Sequence, residues 1–226
     1  MKRIIKIGHR GAAGHAPENT LASLQYAIGL GLDYAEFDLR RTLDGVLVLL
    51  HDERVDRTTN GRGRVEHLAF RDLKTLDAGH GNSIPSLEDA LRLANGRIGL
   101  MLELKVPRIA QDCVEVVQRL RFGSPVLYAS FLLDELADIR MLDRQAATMA
   151  LFSNLPSDPH GIVATVRPSR ATHVGLRHDT ITPDLIQDLH QAGWPAFAYT
   201  VNEPADIERL KRSGIDGIIS DFPDRL

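Results

Sequence analysis

The chain has 226 residues, 43% of them hydrophobic, with 27 Lys and Arg against 30 Asp and Glu and a formal net charge of −3. That balance, without a basic run or an arginine-rich helical face, gives a nucleic-acid partner no electrostatic footing, and no apolar run reaches the roughly 20 residues of a membrane span. A single cysteine, Cys113, excludes an internal disulfide and a Cys-rich zinc site.

The opening "MKRIIKIGHRG" is charged, too short in its apolar stretch for a signal segment and without a small-residue cleavage site, so a cytoplasmic location is expected. Its apolar part, "RIIKIG" (3–8), reads as a strand, and "TLASLQYAIGLG" (20–31) as a helix closing on Gly31. A second strand, "YAEFDL" (34–39), runs through the tight turn "LDG" (43–45) into "VLVLLH" (46–51), a hairpin. Residues 40–84 are too long and polar for a simple βα loop, so a small lobe is expected at about 52–84. "SLEDALRLANG" (86–96) opens with Ser86 and Asp89 as a capping-box variant and closes on Gly96.

The strand "IGLMLEL" (98–104) leads to "IAQDCVEVVQRL" (109–120), an amphipathic helix that would bury Cys113. Then come the runs "PVLYAS" (125–130), "ATMALF" (147–152), "THVGL" (172–176), "PAFAYTV" (195–201) and "DGIIS" (216–220). Between the later ones lie "TPDLIQDLHQAG" (182–193), with Thr182 as N-cap, Pro183 at the first helical position and Gly193 as stop, and "PADIERLKRSG" (204–214). Most of these runs lack polar alternation, as parallel strands covered on both faces do. Eight strands alternating with helices predict an α/β protein, a (β/α)8 TIM barrel in one domain, 1–226, with a small insertion after strand two and a reduced final helix. An open doubly wound sheet is the competing architecture, but "GHRGAAGHAPEN" does not match its glycine-rich nucleotide fingerprint.

In such a barrel the chemistry sits at the C-terminal strand ends. There the chain places His9 and Arg10, Glu36 and Asp38, the returning His51, Glu103 and Lys105, Ser130 and Phe131, Tyr199 and Asn202, and Asp221. Alternate strand residues share a face, so Glu36 pairs with Asp38 and Glu103 with Lys105. Three converging carboxylates repel and raise one another's pKa unless a cation joins them. An oxygen-only set favours one hard divalent cation, Mg²⁺ or Ca²⁺. The bland alternative, ion pairs with Arg10, Arg40 and Lys105, suits any one carboxylate but not all three together with two histidines.

His9 and His51 are better suited to proton transfer than to ligation of a hard ion. His15, His67, His80, His160, His173, His178 and His190 read as structural or solvated. His9-Arg10-Gly11 combines a cation with a flexible backbone, which suits an anionic ligand. Asp52 and Glu53 read as hairpin-end and lobe residues outside the site.

The segments "GHRGAAGHAPENT" (8–20), "AEFDLRRTLDGVLVLLHDERVDRTTNGRGRV" (35–65), "LDAG" (76–79), "IPSLEDAL" (84–91), "LELK" (102–105), "YTVN" (199–202) and "GIDGIISDFPD" (214–224) resemble the glycerophosphodiester phosphodiesterases. The resemblance runs in order along nearly the whole chain and is weakest between about 107 and 190. It implies a metal-dependent (β/α)8 barrel that cleaves glycerophosphodiesters to glycerol 3-phosphate and an alcohol. It makes Glu36, Asp38 and Glu103 metal ligands, His9 and His51 an acid–base pair, and Arg10 and Lys105 phosphate-binding cations. The lobe would shape the glycerol pocket. The resemblance further implies attack by the glycerol 2-hydroxyl and a cyclic phosphate, with His9 the expected base and His51 the expected acid. Tyr199 departs from the tryptophan common at its place.

Two other functions fit less of the chain. A lysophospholipase-D-like activity needs an apolar groove, for which Phe131, Trp194, Tyr199 and Phe222 are the candidates. A non-catalytic phosphate-ligand sensor is opposed by the presence of all seven site residues.

Overall fold

The computed structural model describes residues 3–154 and 159–226. From β1 (Ile5–Gly8) the chain enters α1 (Leu21–Gly29) and then the hairpin of β2 (Tyr34–Arg41) and β3 (Leu47–Leu49). A lobe carries the short α2 (Phe70–Leu73), and α3 (Leu87–Ala94) leads back to β4 (Gly99–Leu104). Five helix–strand repeats follow: α4 (Ala110–Arg119), β5 (Val126–Ser130), α5 (Leu133–Leu142), β6 (Ala147–Phe152), α6 (Pro159–Val166), β7 (His173–Arg177), α7 (Pro183–Gln191), β8 (Ala196–Tyr199), α8 (Pro204–Arg212) and β9 (Gly217–Ser220).

Eight of these strands pair in parallel in the order β1-β2-β4-β5-β6-β7-β8-β9, and β1 closes the ring on β9. β3 lies outside the ring, antiparallel to β2. This is the (β/α)8 barrel expected from the alternation of runs. Ile7, Met101, Leu127, Met149, Leu151, Phe197 and Ile219 fill its lumen. Phe197 fits because its neighbour on β9 is Gly217, where a Cβ would sit 2.2 Å from the ring. Two larger apolar layers pack the helices onto the outside.

The local signals hold. Ser86 and Asp89 form the reciprocal capping box of α3, and Thr182 caps α7 ahead of Pro183. α5, α6 and α2 were not singled out from the sequence. The N-cap position of α5 is Leu132, with no side-chain cap, so the usual start signal is missing. At α4 the cap comes from elsewhere: the buried Glu135 carboxylate of α5 accepts from the Ile109 and Ala110 amides at 3.1 and 2.9 Å.

The lobe has its own apolar cluster, Val48, Leu50, Val55, Val65, Leu73, Ala78 and Ile84. After β9 comes a single 3-10 turn, Pro223–Arg225. It docks on the loop after β1: the Gly14 amide donates to the Asp221 carbonyl at 2.9 Å, and His15 Nε2 meets Asp224 at 2.6 Å. Among the described residues no helix is long and apolar enough to cross a membrane.

Candidate active site

The loop after β1 is folded as tightly as glycine permits. A Cβ on Gly8 would lie 1.9 Å from the Gly11 carbonyl oxygen, and one on Gly11, at φ +88°, would lie 2.3 Å from Ser23 Oγ. Arg10 itself is left-handed at φ 48°. The turn aims two amides at β2: Arg10 N donates to Glu36 Oε2 at 2.7 Å, and Gly11 N to the Glu36 carbonyl at 2.9 Å.

Glu36 and Asp38 alternate into the barrel mouth, and the β2–β4 register sets Asp38 beside Glu103. All three are buried, at 2%, 1% and 9% exposure, and each offers an oxygen within 4.8 Å of the others. Lys105 Nζ lies 2.8 Å from Glu103 Oε1 and 3.5 Å from Asp38 Oδ1, and Arg10 Nε lies 3.4 Å from Asp38 Oδ2. The ion-pair alternative is therefore half met. Two cations serve Asp38 and Glu103, while Glu36 has no Lys or Arg within 4.0 Å among the described residues, and its buried Oε1 has no hydrogen-bond partner.

The electrostatics follow from that count. Burial and the neighbouring Asp38 push the Glu36 carboxyl up to about 8, and burial and Asp38 raise Glu103 as well. Burial would raise Asp38 too, but Lys105 and Arg10 hold it below the usual carboxylate range. At neutral pH an isolated site would have to protonate Glu36. A divalent cation bound by the three carboxylates removes that conflict, so the donor set fits a hard metal ion.

His9 and His51 flank the triad, each with Nδ1 on a carboxylate: His9 to Asp221 Oδ1 at 2.6 Å, His51 to Asp52 Oδ1 at 2.7 Å. An ionised carboxylate only accepts, so Nδ1 carries the hydrogen and Nε2 is left for the cavity. His9 Nε2 is 4.0 Å from Glu36 Oε2. Burial pulls the His9 pKa down, but the Asp221 hydrogen bond and the Glu36 charge outweigh it, and the net shift is upward. For His51 burial wins, helped by Lys105 and Arg10 over Asp38 and Asp52, and the shift is downward.

All seven residues expected at the site line one cavity of about 170 Å³, floored by Met101, Leu151 and Ile219. Phe131 and Tyr199 form its aromatic wall, edge to face at 6.1 Å, with Tyr199 Oη donating to the Phe152 carbonyl. The other two aromatics considered for an acyl groove lie elsewhere: Trp194 donates to the Ala171 carbonyl, and Phe222 packs on His15. The remaining described histidines stay outside the cavity, and the His160 side chain lies outside the described residues.

Several functional side chains were not assigned from the sequence. Asn19 binds Asp38 twice, Nδ2 donating to Oδ2 at 2.9 Å and the Asp38 amide donating to Asn19 Oδ1 at 3.1 Å. Glu18 Oε1 accepts from Arg10 Nη1 at 2.7 Å. The "PENT" stretch thus spends Glu18 and Asn19 on the site and Thr20 on the N-cap of α1. Asp221, seen only as a strand-end residue, is held by Asn202 Nδ2 at 2.7 Å. Asp52 corrects the expectation that it stands outside the site, because its carboxylate holds His51 Nδ1 at 2.7 Å. Glu53 pairs with Arg64 at 3.0 Å, as a lobe residue should.

The model of the glycerophosphoryl diester phosphodiesterase family matches residues 9–225. A glycerophosphodiester phosphodiesterase of Caldanaerobacter subterraneus subsp. tengcongensis is 32% identical over 100% of this chain and 97% of its own. Among solved structures, an Oleispira antarctica phosphodiesterase in complex with the product sn-glycerol-3-phosphate is 29% identical, with a TM-score of 0.88 over 97% of this chain and 93% of its own. A glycerophosphodiester phosphodiesterase from Agrobacterium tumefaciens is 31% identical, with a TM-score of 0.83 over 98% and 99%.

Proposed function

The chain belongs to the glycerophosphoryl diester phosphodiesterase family, and we propose that it hydrolyses glycerophosphodiesters to glycerol 3-phosphate and an alcohol with one divalent cation bound. The observation that carries this reading is the buried Glu36–Asp38–Glu103 triad, with an unpartnered Glu36 oxygen, in one cavity with two carboxylate-backed histidines. Glu36, Asp38 and Glu103 would hold Mg²⁺ or Ca²⁺, which supplies charge neutralisation at the phosphate when bound. Arg10 and Lys105 bind the remaining phosphate oxygens.

One histidine takes the proton of the glycerol 2-hydroxyl as its oxygen attacks phosphorus. The other gives a proton to the head-group oxygen as the P–O bond to it breaks, leaving a cyclic phosphate and the free alcohol. Water then opens the ring with the two roles exchanged. Each transfer contributes about 10²–10⁴-fold, roughly 3–5 kcal/mol, so charge neutralisation must supply a further large share. The whole chain, 1–226, is read as one catalytic domain, in which the lobe lines none of the cavity itself and reaches the site through Asp52 on His51. We place it in the cytoplasm, where the buried Cys113 stays reduced.

The test is release of glycerol 3-phosphate from glycerophosphocholine and other glycerophosphodiesters by the pure protein. Hydrolysis abolished by EDTA and restored by Mg²⁺ or Ca²⁺ is the expected result. Hydrolysis indifferent to EDTA contradicts the cation, and no release from any glycerophosphodiester contradicts the activity.

A further inference from the structure

Arg10 and His51 reach the same cavity from different pieces of chain. Arg10 leaves β1, whereas His51 follows β3 at the entrance to the lobe. The sequence between His51 and α3 has to hold the lobe against the β1 loop closely enough for both side chains to meet one phosphate.

A chain of charges bridges that gap. Arg10 Nη1 donates to Glu18 Oε1 at 2.7 Å, and Asp52 Oδ1 meets His51 Nδ1 at 2.7 Å. Arg57 joins the two carboxylates. Its Nη1 and Nη2 donate to Glu18 Oε2 and Oε1, both at 2.8 Å, while its Nε and Nη2 donate to Asp52 Oδ2 and Oδ1 at 2.6 and 3.2 Å. Both edges of one guanidinium are thereby used, each on a different carboxylate, and the order Arg10–Glu18–Arg57–Asp52–His51 alternates in sign along its first four members.

The backbone under Arg57 is built to deliver it. Val55 is buried in the lobe cluster. Thr59 donates to the Val55 carbonyl from its amide at 3.1 Å and from Oγ1 at 2.8 Å, and Gly63 N donates to Asp56 Oδ2 at 3.0 Å. An ordinary surface ion pair contributes little, and the Arg57 side chain is 48% exposed. Two bidentate forks on a braced turn are a different case, because they fix direction as well as distance. Take Arg57 away and Glu18 and Asp52 lose their shared cation, Asp52 is free to turn off His51, and the lobe loses one of its ties to the loop that carries Arg10.

We propose that Arg57 is a positioning residue for the reaction: a two-sided clamp on Glu18 and Asp52 that keeps the phosphate-binding Arg10 and the proton-transferring His51 in register at the barrel mouth. The inference rests on the phosphodiesterase reading above. Arg57 is not among the residues that line the cavity and acts through its two carboxylates.

The experiment compares kcat and KM for wild type, Arg57→Gln, Arg57→Lys, Asp52→Asn and the double variant Arg57→Gln/Asp52→Asn on glycerophosphocholine at saturating Mg²⁺, with circular dichroism confirming folding. Arg57→Gln should lose about 10–100-fold in kcat, the scale of a small misplacement of reacting groups, and KM should rise as Arg10 loosens. Arg57→Lys should recover little, because one ammonium cannot serve two forks. Since Arg57 works partly through Asp52, Arg57→Gln should cost less in the Asp52→Asn background than alone. Free guanidinium ion, but not methylammonium, should restore part of the activity of Arg57→Ala.

A lower melting temperature with kcat within about twofold of wild type would reduce Arg57 to a structural strut and overturn the proposal. Costs that multiply fully with Asp52→Asn would overturn it too. If instead the wild type hydrolyses no glycerophosphodiester, the underlying reading falls and takes the inference with it; a wild type that turns over beside an equally fast Arg57→Gln removes the inference alone.

Discussion

Asp221 and Asp52 give the two histidines the same treatment, each taking Nδ1–H at 2.6–2.7 Å. What that fixes is the tautomer, and with it which nitrogen faces the phosphate. Asp221→Asn keeps the shape but offers an amide that can donate, so the wrong tautomer becomes available. We expect kcat to fall about 10-fold to 10⁴-fold with cation affinity little changed, the span between loss of a supporting hydrogen bond and loss of the correct tautomer. Steady-state kinetics beside a calorimetric cation titration checks it.

Asp52 and Glu18 also tie stability to pH. The Arg57 hydrogen bond is the largest influence on Asp52 and holds its carboxyl well below the usual range. Burial would raise Glu18, but Arg57 and Arg10 more than offset it and its pKa is lowered. A folded-state pKa below the unfolded one contributes stability that is full above the ordinary carboxyl range, about pH 4, and is lost as pH falls through the lowered folded values. Arg57→Gln should therefore show a smaller loss of melting temperature than wild type between about pH 5 and pH 2. Parallel loss in the two proteins contradicts it.

At the level of elements, caps written within a few residues of their helix were legible and caps supplied from afar were not. Ser86 and Asp89 announce α3, and Ser86→Ala should cost about 0.5–2 kcal/mol in a denaturant titration while leaving kcat unchanged, since Ser86 lies outside the site cavity. α4 starts equally well without a local signal, because Glu135 arrives from 25 residues further on to take its amides. α5 itself opens on Leu132 with no side-chain cap, so a reading by start signals passes over it. The hairpin was legible for the opposite reason: Thr42, Asp44 and Gly45 lie together, and Thr42 Oγ1 donates to Asp44 Oδ1 at 2.6 Å within the turn itself.

Across the whole molecule, closing the ring brings His9 against Asp221, 212 positions later, and sets Glu36 and Asp38 beside Glu103. The seven expected residues, all of which line the cavity, were legible because alternation along a strand and the polarity of strand ends are local facts. Of their supports, Asn19 and Asp221 were not, because their partners Asp38 and His9 belong to other elements and meet them only when the barrel closes, and Glu18 and Asp52, though close in sequence to Arg10 and His51, lie in loops where no alternation points to them. On the proposed mechanism the barrel divides the work between buried carboxylates that fit a cation and histidines, each on its own carboxylate, that move protons.

That division is tested most directly by measuring Mg²⁺ or Ca²⁺ affinity by calorimetry and turnover of glycerophosphocholine on the same preparations of wild type, His9→Ala, His51→Ala and Glu36→Gln. The account predicts that both histidine variants bind the cation within about threefold of wild type yet lose at least about 10²-fold in turnover, while Glu36→Gln loses cation affinity and turnover together. A histidine variant with near wild-type turnover, or Glu36→Gln with unchanged cation affinity, contradicts it.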